Sequence, residues 1–284
     1  MSNKEFHNLA EAQLNLNSPT PSYWGNLGLW RKNTPAAEQD YAQACSALAH
    51  LVAQQAQLQP DDVLVDIGFG CGDQLLLWLQ HYRVEQLYGL NISRSQTQLS
   101  QQRLIGAGYA QPAPQISIGS HADMLPWAAH SLSASPTKII ALDCAYHCSS
   151  RQQFLADSYT QLAPQGQLVL CDLILDDKAL GPKQKLILKT LCRLCNIPYG
   201  NLLVRADYLH GCKQLGFELQ NCEDITEQVF LPFGQWLLAY RQQHASKGLR
   251  WGKYRGTAWF LRWAVQQQAL RYVVISLSKA QGDK

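Results

Sequence analysis

Two periods alternate along the chain: short continuous apolar runs, and longer segments whose apolar residues recur every three to four positions. Over 35–59 the apolar residues Ala44, Leu48, Leu51, Val52 and Leu58 fall at helical spacing, and Pro60-Asp61-Asp62 stops the segment. Val63-Leu64-Val65-Asp66-Ile67 then reads as a strand buried on both faces, being short, almost wholly apolar and rich in branched residues. The pattern predicts helices over 72–82, 94–108 and 151–162, with strands over 86–90, 116–119, 138–143 and 167–175 between them. Strands separated by helical segments imply a parallel sheet covered on both faces.

Past Leu175 the alternation loosens. Helices are expected over 178–196 and 206–215, strands over 217–226 and 270–277. Between the last two strands lies a long insertion, 232–268, with Trp236, Trp251, Trp259 and Trp263 among Lys247, Arg250, Lys253, Arg255 and Arg262. No linker, repeat or low-complexity stretch divides the chain, so 1–284 is expected to form one domain: a helical cover over 1–60, a core over 61–175, and a second half over 176–284. The expected fold class is α/β, a seven-stranded and mostly parallel sheet with helices on both faces and helical cap insertions.

Composition narrows the possible functions only in part. At 46% hydrophobic and 16% charged residues this is a folding sequence. A net charge of +3 does not call for nucleic acid, whose binders carry a dense basic stripe. There is no basic-then-apolar leader and no apolar run of membrane-spanning length, so a cytoplasmic setting with reduced thiols is expected for the nine cysteines. Cys192-Arg-Leu-Cys195 has the spacing of half a zinc site, but without a second pair it reads as two buried thiols, and no metal is expected.

The most informative segment is Asp66-Ile-Gly68-Phe-Gly70-Cys-Gly72, set between the first strand and the first sheet helix. Alternate glycines permit a tight turn and let a ligand approach the backbone. A dinucleotide loop runs G-x-G-x-x-G and places pyrophosphate at the helix N-terminus. The spacing here differs, and the carboxylate before the first glycine suits a cationic, phosphate-free ligand better than an anion. Hydride transfer with a nicotinamide cofactor is therefore the weaker of the two readings.

Residues 63–73 resemble the first motif of class I S-adenosylmethionine-dependent methyltransferases, and the later elements follow in that family's order. Leu87-Tyr-Gly-Leu-Asn91-Ile92-Ser93, with Gln96 after it, is similar to the strand-two motif of the small-molecule and lipid branch, which includes tocopherol, sterol and cyclopropane-fatty-acid-type enzymes. The resemblance implies a Rossmann-like fold with an antiparallel final strand, and S-adenosylmethionine as cofactor. It further implies cofactor contacts from Tyr23, Asp66, Gly68, Gly70, Gly72, Asn91, Ile92, Gln96, Asp123, Met124 and Asp143. Asn91 stands where many relatives have Asp or Glu; it can still hydrogen-bond a diol. Asp123, in His121-Ala-Asp123-Met124, is expected to accept from the adenine amino group, a turn or N-cap role being the alternative.

A methyl donor that is already an activated electrophile leaves two tasks, alignment of the acceptor and removal of its proton. Tyr146 and His147, just past the fourth strand, are the candidate catalytic residues, His147 being the general-base candidate and His121 a rival. Tyr23-Trp24 and Trp30 resemble a pre-core segment that covers the cofactor, where aromatic rings suit a sulfonium. The aromatic insertion 232–268 points to a small hydrophobic or amphipathic acceptor, lipid-like in character, with peripheral membrane contact through the same segment. Cyclopropane formation is an alternative chemistry, although those relatives carry a Glu-His pair where this chain has Tyr146-His147. An inactive cofactor-binding module is the alternative outside catalysis.

Overall fold

The structure, a computed structural model, describes residues 14–18, 20–109, 114–176, 180–244 and 251–281. Its centre is a seven-stranded sheet of order β3-β2-β1-β4-β5-β7-β6. The strands are β1 (Val63–Ile67), β2 (Gln86–Asn91), β3 (Gln115–Ile118), β4 (Lys138–Ala141), β5 (Gln167–Leu175), β6 (Phe217–Asp224) and β7 (Leu270–Lys279). The first five pair in parallel, and β7 runs antiparallel to both β5 and β6. The helices are α1 (Tyr41–Gln55), α2 (Asp73–Gln80), α3 (Arg94–Gly106), α4 (Met124–Ser131), α5 (Arg151–Gln161), α6 (Pro182–Leu194), α7 (Arg205–Gln214), α8 (Thr226–His244) and α9 (Trp251–Gln266). Side chains alternate along buried strands such as β1, so neighbouring residues enter separate hydrophobic clusters: Leu64 one, Val63, Val65 and Ile67 the other.

Where the elements depart from the sequence pattern, local chemistry explains it. The first helix begins at Tyr41 rather than Pro35, because a 3₁₀ turn over Ala36–Glu38 is followed by extended Gln39, and Asp40 caps α1 by accepting from the Gln43 amide at 2.8 Å. α4 lies in a stretch for which the sequence pattern gives no element; Pro126 sits in its first turn, where a missing N–H costs nothing. The insertion expected at 232–268 begins earlier, with α8 running through Pro232. Proline cannot donate to the carbonyl four residues back, that of Gln228, and this oxygen instead accepts the Trp30 amide at 2.9 Å. The helix defect is thus the anchor for the N-terminal segment. Lys247 and Arg250 lie outside the described residues.

Candidate active site

At the C-terminal ends of β1, β2 and β4 the sheet opens into a cavity of about 750 Å³, toward the upper end for small-molecule sites. One half is framed by the glycine loop and the end of β2, the other by α6, α8 and α9. The N-terminal segment around Tyr23 and Trp24 closes one side.

The three glycines of the loop have left-handed backbones, with φ of +76° at Gly68, +58° at Gly70 and +92° at Gly72. Their surroundings differ. A Cβ on Gly68 would meet Cys144 at 2.8 Å, and one on Gly72 would meet Ser100 at 3.0 Å. Around Gly70 nothing lies within 4 Å. Protein packing therefore requires Gly68 and Gly72 to be glycine, while Gly70 borders open space in the cavity wall.

Asp66 is not among the residues that line the cavity. It is fully buried and accepts from Gln74 Nε2 at 2.7 and 2.9 Å and from Trp78 Nε1 at 2.6 Å. Burial raises its pKa to about 7, and the two donors only partly offset that rise. The carboxylate that suggested a cationic ligand thus ties β1 to α2. The acid that does line this half of the cavity is Asp73, at the start of α2. It forms a bidentate pair with Arg103 at 2.7 and 2.8 Å and accepts the Tyr23 amide at 3.1 Å. The guanidinium of Arg103 lies 4.8 Å from the centre of the Tyr23 ring, so that ring already has a cation on it.

Asn91, Ile92 and Gln96 all line the cavity. Asn91 Nδ2 donates to Gly70 O at 3.3 Å and to Gln96 Oε1 at 3.2 Å, which orients its carbonyl oxygen as the acceptor. Ile92 is 65% exposed, an apolar surface beside the loop. Gly119 and Ser120 continue the wall, whereas Asp123 and Met124 do not reach it. Asp123 is exposed and folds back to accept from the Ser120 amide and hydroxyl, both at 2.8 Å, the turn role. Met124 is buried under the sheet. His121 opens the same turn; its side chain lies outside the described residues.

Asp143 sits at the junction of the two halves, at φ +58°, a backbone Asp tolerates better than most residues. Its carboxylate accepts the Leu27 amide at 2.8 Å, the Tyr272 hydroxyl at 2.8 Å and the Tyr146 hydroxyl. Burial, and then the charge of Asp143, push both phenols well above their ordinary pKa. Tyr146 is thereby a proton donor to Asp143 and unsuited to act as a base. Through Leu27 and Tyr23, the carboxylates of Asp143 and Asp73 hold the N-terminal segment over the cavity by its backbone. Trp30, expected near the cofactor, instead packs in the core between Tyr41 and Trp236, at ring separations of 6.4 and 5.8 Å.

His147 is half-buried and lines the cavity beside Tyr146. Its Nδ1 lies 3.0 Å from the Asn196 carbonyl, which can only accept. Nδ1 therefore donates to it, so that Nε2 is the nitrogen of the neutral tautomer that can take up a proton. The loop bearing it is pinned by Asn201, which accepts from the Arg151 amide at 3.0 Å and donates to the Cys148 carbonyl at 2.6 Å.

The second half of the cavity is mostly apolar: Leu191, Ile197, Phe230, Phe233, Phe260 and Leu261 line it. Of the four tryptophans expected there, only Trp259 lines the cavity; Trp236 is buried in the core, and Trp251 and Trp263 pack against it. Cys192 is buried, its thiol pushed up to about 12 by desolvation, and Cys195 lines the cavity with a raised pKa of the same cause. Among the described residues no group of three or more potential ligands is placed to hold a metal.

Residues 65–170, the part of the sheet that builds the loop and the junction, match the family model described as a methyltransferase domain. The chain is a methyltransferase of the S-adenosylmethionine-dependent class. It is 25% identical over 226 residues to the erythromycin 3''-O-methyltransferase of Saccharopolyspora erythraea, a match spanning 78% of this chain and 71% of the relative. In fold it is similar to the cyclopropane synthase MmaA2 of Mycobacterium tuberculosis (TM-score 0.74, 16% identity, 95% of this chain and 94% of the other). It is also similar to geranyl diphosphate C-methyltransferase of Streptomyces coelicolor A3(2), solved with S-adenosyl-L-homocysteine (TM-score 0.71, 15% identity, 95% and 96% covered).

Proposed function

We propose that the protein transfers a methyl group from S-adenosylmethionine to a small hydrophobic or amphipathic acceptor, lipid-like in character, whose nucleophile is a hydroxyl or another protonated group. The observation that carries this reading is one continuous cavity with a loop-lined half, an apolar half and His147 between them. The open space at Gly70 and the oriented carbonyl of Asn91 suit the adenosyl and ribose parts of the cofactor, with Ile92 against the base. When bound, the cofactor supplies an electrophilic methyl group. The protein's residues supply the rest: the apolar wall holds the acceptor and excludes water, and Nε2 of His147 takes its proton. Gly68, Gly72 and Gln96 support the cofactor half, Asp143 and Tyr146 the junction, and Asp66 acts by holding β1 to α2.

Chain 1–284 is read as one functional unit in a cytoplasmic setting, consistent with nine free cysteines and with the absence, among the described residues, of any helix long and apolar enough to cross a membrane. Peripheral contact of 232–268 with a membrane belongs to the same proposal. Cyclopropane formation suits the site less well, because Tyr146 precedes His147 and its hydroxyl is committed to Asp143. The test is methyl transfer from isotope-labelled S-adenosylmethionine to a panel of lipid, quinone and polyketide alcohols, followed by mass spectrometry. Methylated product supports the proposal. Cofactor binding with no product from any acceptor would instead identify an inactive binding module.

A further inference from the structure

Two of the three helices that flank the apolar half of the cavity, α6 and α9, share an unusual composition. α6 carries Lys183, Lys185, Lys189 and Arg193, α9 carries Lys253, Arg255 and Arg262, and neither contains an acidic residue. Seven of the chain's 24 Lys and Arg thus lie on two helices that hold none of its 21 Asp and Glu, so the rest of the chain is net acidic. The helices run side by side in opposite directions: Gln184 in the first turn of α6 donates to Gln267 just past α9 at 2.8 Å, and Cys195 beyond α6 feels the charge of Lys253 in the first turn of α9.

Large apolar side chains stand exposed among these cations. Leu186 is 67% exposed and Leu194 72% on α6, and Trp259 is 54% exposed on α9. Leu194 and Trp259 also line the cavity, so the surface patch and the mouth of the acceptor half are continuous. Each helix also has an opposite face that is buried, with Leu188, Leu191 and Cys192 inward on α6 and Tyr254, Ala258, Leu261 and Ala264 inward on α9. Cations at the level of headgroups with leucine and tryptophan between them is the pattern by which an amphipathic helix rests on an anionic bilayer.

We infer that α6 and α9 together form a docking face for anionic membrane surfaces, which sets the mouth of the cavity against the bilayer so that a lipid-soluble acceptor enters without crossing water. This inference rests on the proposed lipid-like acceptor for its purpose but not for its test. The experiment is co-sedimentation of the full chain with vesicles of mixed phosphatidylcholine and phosphatidylglycerol, and with vesicles of phosphatidylcholine alone. Binding is expected to the mixed vesicles, to weaken as salt is raised, and to be slight on neutral ones. The double variant Lys185→Gln/Arg255→Gln, one change on each helix and neither lining the cavity, is expected to bind about 30-fold more weakly at unchanged S-adenosylmethionine affinity. Leu186→Ser is expected to weaken binding at every salt concentration. The membrane assignment is overturned if the chain ignores the mixed vesicles, binds both kinds equally, or binds an acidic carrier protein through these cations in preference to vesicles. Cofactor affinity, measured separately by calorimetry, keeps failure of this inference distinct from failure of the methyl-transfer reading.

Discussion

The two halves of the cavity are built on different principles. The half proposed for the cofactor is built mainly from backbone, a glycine loop and strand ends, with polar side chains whose hydrogen bonds are mutually satisfied, such as Asn91 with Gly70 and Gln96. The half proposed for the acceptor consists of apolar side chains from helices distant in sequence, held by packing rather than by directed bonds. Backbone sites tolerate little change, because one Cβ or one reversed amide removes the shape; side-chain walls can be recut residue by residue. The difference implies a site with a fixed cofactor and an adaptable acceptor, with Asp143, Tyr146 and His147 forming the boundary.

The sharpest way to break this comparison is at Gly70. Gly70→Val places a branched side chain at φ +58° in open cavity space and is expected to lower cofactor affinity beyond detection by calorimetry, at a stability cost of about 1–3 kcal/mol in denaturant unfolding. An unchanged affinity would show that the cofactor lies elsewhere. At the boundary, His147→Gln is expected to lower kcat by about 10²–10⁴-fold with cofactor affinity intact, and to remove the acidic limb of the pH–rate profile, where the base becomes protonated. A variant that keeps full activity would mean that the acceptor needs no base.

On the acceptor side, Trp259→Ala is expected to raise the acceptor KM about 10-fold, through lost apolar contact, with no effect on cofactor binding. If it weakened both ligands equally, the halves would not be independent. The smallest effect on ligand binding concerns Asp66. Its folded pKa of about 7 lies above the ordinary carboxylate value, so its contribution to stability is complete below about pH 4 and is lost as pH rises through 7. Thermal unfolding should therefore show stability falling across that window, and Asp66→Asn should flatten the fall while leaving Gly70-dependent binding in place.

The same contrast explains what could be read from the sequence. The parallel strands and the loop from Asp66 to Gly72 announce themselves because buried strands and left-handed turns admit few residue types, and those stand together in the chain. The acceptor wall is scattered over residues from Leu191 to Leu261, and no local spacing marks which aromatic faces the cavity. Trp236 and Trp30 look alike in sequence to Trp259 yet complete a buried aromatic stack. Asp66 illustrates the opposite limit: its position in the motif was evident, but the Gln74 and Trp78 donors that enclose it lie one and two turns along α2. Asp73, Arg103 and Tyr272 had no signal of their own, since their partners are 30 to 129 residues away.

The most direct test of a backbone-built cofactor site joined to an adaptable acceptor wall is calorimetric titration of S-adenosylmethionine into the wild-type chain and into Gly70→Val. One-site binding to the wild type that disappears in the variant is the expected result. No heat with the wild type, or equal binding to both proteins, would contradict it.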